Sequence, residues 1–124
     1  MAHIPFLRRA VLALALAAAA TAALAHHGWR WTTDQRFELT GVIESARLGN
    51  PHGIVTVRAG DEIWTVEVGQ PWRNARAGLT DAMFAAGAEM IAIGRRSADP
   101  DALLMKAEEL IIGGETYVLY PGGA

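Results

Sequence analysis

The 124-residue chain contains no cysteine. That absence removes disulfides as a source of stability and thiolates as metal ligands or nucleophiles. An excess of one charge is missing too. Eleven Lys and Arg face thirteen Asp and Glu, a formal net charge of −2, which argues against nucleic acid and anionic membrane surfaces as partners. Histidine is scarce, with four in the whole chain. There is no internal repeat, and beyond residue 25 there is no low-complexity segment. No Ser-His-Asp constellation can be assembled. Glu44, Glu62, Glu67, Glu108 and Glu109 fit outward strand positions or turns better than a paired acid/base site.

What is present begins with an apolar leader. Arg8 and Arg9 close a short basic region, residues 10–24 are apolar, and Ala23-Leu24-Ala25 has the small-x-small form of a signal-peptidase site. The apolar run is shorter than the roughly 20 residues of a spanning helix. Residues 1–25 therefore read as a signal peptide, with an uncleaved N-terminal anchor as the alternative. The residues flanking Arg8-Arg9 favour general export over the twin-arginine route. Cleavage after Ala25 places the protein in the periplasm or outside the cell. It leaves about a hundred residues, enough for one compact domain without a membrane span. Only two basic residues and no acidic ones leave with the leader, so the domain carries about −4.

Residues 26–36 lack periodicity and read as an N-terminal arm. From Phe37 the pattern turns to β. Phe37, Leu39, Gly41 and Ile43 alternate with Glu38, Thr40 and Glu44, predicting a half-buried strand to about Leu48. Gly49-Asn50-Pro51 is a turn signal. Residues 52–58 and 62–68 form two further strands around a Gly60-Asp61 turn. Residues 71–79 read as a loop with one helical turn. Thr80 caps a short helix that Gly87 ends, with Met83 and Phe84 on its buried face. Residues 88–96 and 102–112 supply two more strands, and residues 115–120 a short last one. Three strands, a helix, two strands and a terminal addition give a mainly β chain of OB-fold-like closed-barrel order over residues 37–124. A small β-sandwich is the alternative.

Cleavage after Ala25 would make His26 the first residue, uniting a free α-amino group with an imidazole beside His27. The domain then holds three histidines: His26, His27 and His52. A histidine brace takes the terminal amine and ring of residue one plus a further imidazole. Such a nitrogen-rich set lies where copper heads the divalent affinity order. His26 and His52 are the first choice of ligands, with His27 as third ligand or neighbour. His52 follows a turn in the loop between strands one and two, which OB-folds commonly use for ligands. Asp34, Glu38 and Asn50 are candidates to orient a ring. The plainer reading leaves His26 and His27 exposed and idle, with His52 capping a turn.

Trp29, Trp31, Trp64 and Trp72 read mainly as core or arm anchors, with Trp72 the best exposed candidate. Arg95-Arg96 reads as a solvated strand end. Met83, Met90 and Met105 occupy core positions and do not form the exposed cluster of a Cu(I) carrier.

His26-His27-Gly28-Trp29, Leu39-Thr40-Gly41, Asn50-Pro51-His52, Trp64-Thr65-Val66-Glu67, Gly69-Gln70-Pro71, Gly78-Leu79-Thr80 and the Gly87 turn together resemble an uncharacterised bacterial family. Its members are small exported domains with a His-His mature start and an Asn-Pro-His turn. The resemblance spans residues 26–115, implies a single exported domain and carries no activity. The chain departs from it in Gly53 and in Arg73-Asn74, where bulkier, more apolar residues are expected.

The expectation is an exported copper-binding module, a carrier, buffer or assembly factor, exchanging copper with a donor or acceptor protein in the envelope. The alternatives are a metal-free OB-type envelope module binding a protein or glycan, and a copper-dependent redox enzyme.

Overall fold

The computed structural model describes residues 27–123, with the backbone alone for His27. The chain divides into two units, Met1–Arg30 and Trp31–Ala124. Within the first, the described part is one 3-10 turn, His27–Trp29. Among the described residues no helix is long and apolar enough to cross a membrane.

The second unit is a six-stranded sheet: β1 (Phe37–Arg47), β2 (Ile54–Ala59), β3 (Glu62–Glu67), β4 (Glu89–Arg96), β5 (Leu104–Ile112) and β6 (Glu115–Val118). Its order is β3-β2-β1-β4-β5-β6, and β3 also pairs with β5. That extra pairing closes the first five strands into a barrel of OB-fold-like topology, with β6 added outside. The long first strand makes the corner. Residues 37–42 pair antiparallel with β4, and residues 42–47 pair with β2. A register shift between Ile43 and Ser45 lets one strand serve two neighbours that diverge.

Alternation supplies the interior. Leu39, Ile43, Val55, Val57, Trp64 and Val66 are buried, as are Met90, Ala92, Met105 and Leu110. Trp64 stacks on Phe37 with ring centroids 5.2 Å apart. Their burial follows the period-2 pattern expected of strands with one face inward. Met90 and Met105 lie in the core, as the pattern predicts.

The β3–β4 connection differs in detail from expectation. The α-helix, α1, lies earlier, at Pro71–Arg76, and Asp81–Phe84 is a 3-10 turn. Pro71 begins α1 because a first-turn residue needs no N–H partner. Thr80 makes no side-chain cap bond. Only a few residues separate it from Gly87, whose φ of 92° breaks any helix. Phe84 is nevertheless buried and Met83 packs against the core, so the expected apolar face survives. Part of the predicted arm is stitched to the barrel. Thr33 N–H donates to the Arg96 carbonyl (2.9 Å) and Ala98 N–H to the Trp31 carbonyl (2.8 Å).

Close approach of β4 to β5 depends on Gly94, at a register shift between the two strands. A Cβ there would run into the Lys106 carbonyl oxygen and lie 2.9 Å from Ala107 Cα. Gly94→Ala is expected to cost about 1–3 kcal/mol as the strands part. Gly49→Ala, whose Cβ meets nothing within 4 Å, should stay within about 0.5 kcal/mol of the parent. Urea unfolding followed by tryptophan fluorescence checks both.

Candidate functional site

His52 precedes β2, and its placement follows from the residue after it. Gly53 N–H donates to the Gly69 carbonyl (3.0 Å), and Val68 N–H donates to the Gly53 carbonyl (2.9 Å). These bonds carry the β2–β3 ladder past its last named pair, Ile54 with Glu67. A Cβ on residue 53 would sit 2.7 Å from Val68 Cγ2 and 3.0 Å from Leu48 Cδ2. Only glycine lets the chain lie this close to β3. The departure from the bulkier residue expected there thus has a steric reason.

Two bonds from the Asn74 side chain brace the far side of this ladder. Its Oδ1 accepts from Gly69 N–H and its Nδ2 donates to the Gly69 carbonyl, both at 3.0 Å. Asn74 is itself buried. This is why polar Asn74 stands where an apolar residue is expected. It accepts from the Gly69 N–H and gives the Gly69 carbonyl a second donor beside Gly53 N–H.

With the backbone so held, His52 Nε2 lies 3.3 Å from Glu67 Oε1. Lys106 Nζ approaches the same oxygen at 3.1 Å. The imidazole is 36% exposed, whereas the Glu67 and Lys106 side chains are 9% and 6% exposed. Glu67 and Lys106 are register partners across the parallel β3–β5 seam. Their neighbours Val66 and Met105 face the barrel interior and are fully buried. By alternation Glu67 and Lys106 lie on the outer face. Neither contact to Glu67 Oε1 has hydrogen-bond alignment, so this buried oxygen is held by charge proximity rather than by a directed bond.

An aromatic–cation stack adjoins the triad. Lys106 Nζ is 5.9 Å from the centre of the Tyr120 ring. The Arg73 guanidinium lies 4.1 Å from the same ring and 4.5 Å from Trp72. Tyr120 is held by the C-terminal segment, where Leu119 and Tyr120 N–H both donate to the Glu108 carbonyl. Burial raises the Tyr120 hydroxyl above its ordinary value. Arg73 works against that rise and the negative charge of Glu67 adds to it.

Of the predicted ligands, His26 lies outside the described residues, as does the side chain of His27. His52 stands in the loop between β1 and β2, beside a groove of about 390 Å³ lined by Arg47, Gly49, Asn50, Pro51 and Ile54. The carboxylate that holds it is Glu67. Asp34 instead faces Arg95 at 3.6 Å. Among the described residues no three His, Asp or Glu side chains cluster as a metal-ligand set. Sequence reasoning missed Glu67 and Lys106. One signal was available: Lys106 is the sole lysine in the chain and interrupts the apolar strand Leu-Leu-Met-Lys-Ala.

An OB-like closed barrel with a buried Glu67–Lys106 pair on its outer face, capped by the half-exposed His52, defines the class of domain. The chain belongs to the Family of unknown function (DUF6152), whose model matches residues 13–103. Among solved structures, it resembles a chain of the crystal structure of the S. pombe Stn1-Ten1 complex, with TM-score 0.50 and 12% identity. The likeness covers 64% of this chain and 59% of that one, and is one of fold. No curated protein sequence matches.

Removing one partner of a buried ion pair strands the other. Glu67→Gln and Lys106→Met are each expected to cost about 3–5 kcal/mol, with the double variant less destabilised than their sum. Denaturant unfolding of the four forms measures that coupling.

Tyr120 should ionise later than an exposed tyrosine when phenolate absorbance is followed with pH. The stability it contributes is complete below about pH 10 and is lost as pH rises through the elevated folded value. Tyr120→Phe should remove that part of the alkaline loss.

Proposed function

We propose that the protein is an exported copper-binding module, serving as a carrier, buffer or assembly factor. Removal of the leader after Ala25 frees the α-amino group of His26. That amine, the His26 imidazole and the His52 imidazole form the ligand set, with His27 as third ligand or neighbour. The observation that carries the reading is the 3.3 Å contact between His52 Nε2 and the buried Glu67 carboxylate. A carboxylate beside one nitrogen of an imidazole draws that edge of the ring toward it by charge and leaves the other nitrogen as the donor. Lys106 balances the Glu67 charge.

The donor set fits copper. It contains nitrogen and no thiolate, and the terminal amine deprotonates far more readily than a lysine. His52 is the sole histidine of the barrel, so the reading depends on one ring and one cleavage point. A carrier role needs only reversible coordination. A substrate platform would need more surface than so small a barrel offers.

Intact mass of the exported protein should show His26 as its first residue. Cu(II) titration followed by absorption should then weaken at least tenfold in His52→Ala and in a form with one alanine inserted before His26. Binding should also weaken as pH falls from 8 to 5, because protons compete for amine and rings. A different first residue, or unchanged affinity in the insertion form, overturns the chelate and favours a metal-free envelope module. Oxidase turnover by the copper-loaded form would instead favour a redox enzyme.

A further inference from the structure

A second concavity lies away from the His52 groove, between α1 and the C-terminal segment. It holds about 350 Å³ and is lined by Arg73, Arg76, Ala77, Val118, Leu119 and Pro121. We propose that it binds an apolar monocarboxylate, with the acid group on the two arginines and the apolar body against Val118 and Pro121.

Three observations converge on that chemistry. Arg73 and Arg76 are one helical turn apart, so both side chains lie on the same side of α1. Among the described residues neither has a carboxylate at ion-pair distance, whereas Arg58 pairs with Glu44, and Arg95 with Asp34 and Glu108. In a chain with more acidic than basic side chains, two guanidiniums without carboxylates sharing one concavity form a local positive site.

Arg73 is also prepared for its task. Its Nε donates to Gln70 Oε1 at 3.3 Å and its Nη1 to the Leu119 carbonyl at 3.1 Å. Its plane is held against the Trp72 and Tyr120 rings. Little side-chain entropy remains to be lost on binding. The ordinary role of an arginine late in a helix, bonding the helix's own last carbonyls, is not the one it performs. Arg76 remains exposed, able to close on the second carboxylate oxygen.

The wall decides what the acid is attached to. Val118, 40% exposed, and Pro121, also exposed, present their side chains at the surface of the concavity. Exposed apolar residues beside paired guanidiniums match an amphipathic anion better than a phosphate, which offers no apolar surface. The volume is at the small end of ligand pockets. It suits a free short-chain acid or the carboxyl-terminal residue of a polypeptide, which share this chemistry.

The test is NMR titration of the copper-free chain with four probes: hexanoate, hexanol, and a tetrapeptide ending in Leu-Val as free acid and as amide. Hexanoate should bind saturably and shift the amides of residues 73–77 and 118–121, while hexanol should not. Arg76→Gln, a change at an exposed side chain, should weaken hexanoate about tenfold or more and leave the urea midpoint in place. If the free-acid peptide outcompetes hexanoate and its amide does not bind, the source is a polypeptide terminus. If hexanoate binds and the peptide does not, it is a free acid. No saturable hexanoate binding, equal binding of hexanol, or full affinity in Arg76→Gln overturns the proposal. Copper plays no part in this experiment, so its outcome is independent of the His52 reading.

Discussion

Three residue pairs join β3 to β5 in parallel: Thr65 with Leu104, Val66 with Met105, and Glu67 with Lys106. Every other strand pairing is antiparallel. This short seam closes the barrel and removes the edge that β3 would otherwise present to other chains. It also brings Val66 against Met105 in the interior, at full burial. A domain of about a hundred residues without a disulfide has little other means of completing its core. The single edge of β5 is shared, residues 104–106 going to β3 and residues 109–112 to β6.

The same seam makes the triad. Because side chains alternate along a strand, a register that puts Val66 and Met105 inside puts Glu67 and Lys106 outside, beside each other. Their mutual attraction offsets the cost of removing two charges from water, and His52 stands at the remaining open side of the carboxylate. Gly53 and the Asn74 clamp on Gly69 are what permit that approach. A core requirement and a polar site thus share one register, and neither can shift without the other.

Much of the barrel could be read in advance from local pattern. The six strands, the turns at Gly60 and Gly113-Gly114, and the burial of Met90 and Met105 follow from period-2 alternation and turn chemistry, and the burial of Phe84 from the apolar face of the short helical segment. Between the third and fourth strands the pattern predicts one helical turn in residues 71–79 and the main helix after Thr80, whereas the α-helix is Pro71–Arg76 and Asp81–Phe84 is only a 3-10 turn. Thr80 resembled an N-cap, whereas Pro71 and the peptide clamp of Asn74 set the helix earlier. His52 was recognisable as a loop histidine. Its partner was not, because Glu67 sits in an alternating strand where a charged residue ordinarily meets solvent.

The division between the two kinds of knowledge has a physical basis. Strand period, turn position and the order of elements are properties of short segments, set by backbone geometry and by which face of each segment is apolar. They therefore survive without knowledge of the partner. The pairing of Glu67 with Lys106, which lie 39 positions apart in the chain, depends on barrel closure and its register. So do the stacking of Arg73 on Tyr120 and the burial of two charges on a barrel's outer face. No local rule anticipates these contacts, because their energy exists only once distant segments have excluded water between them.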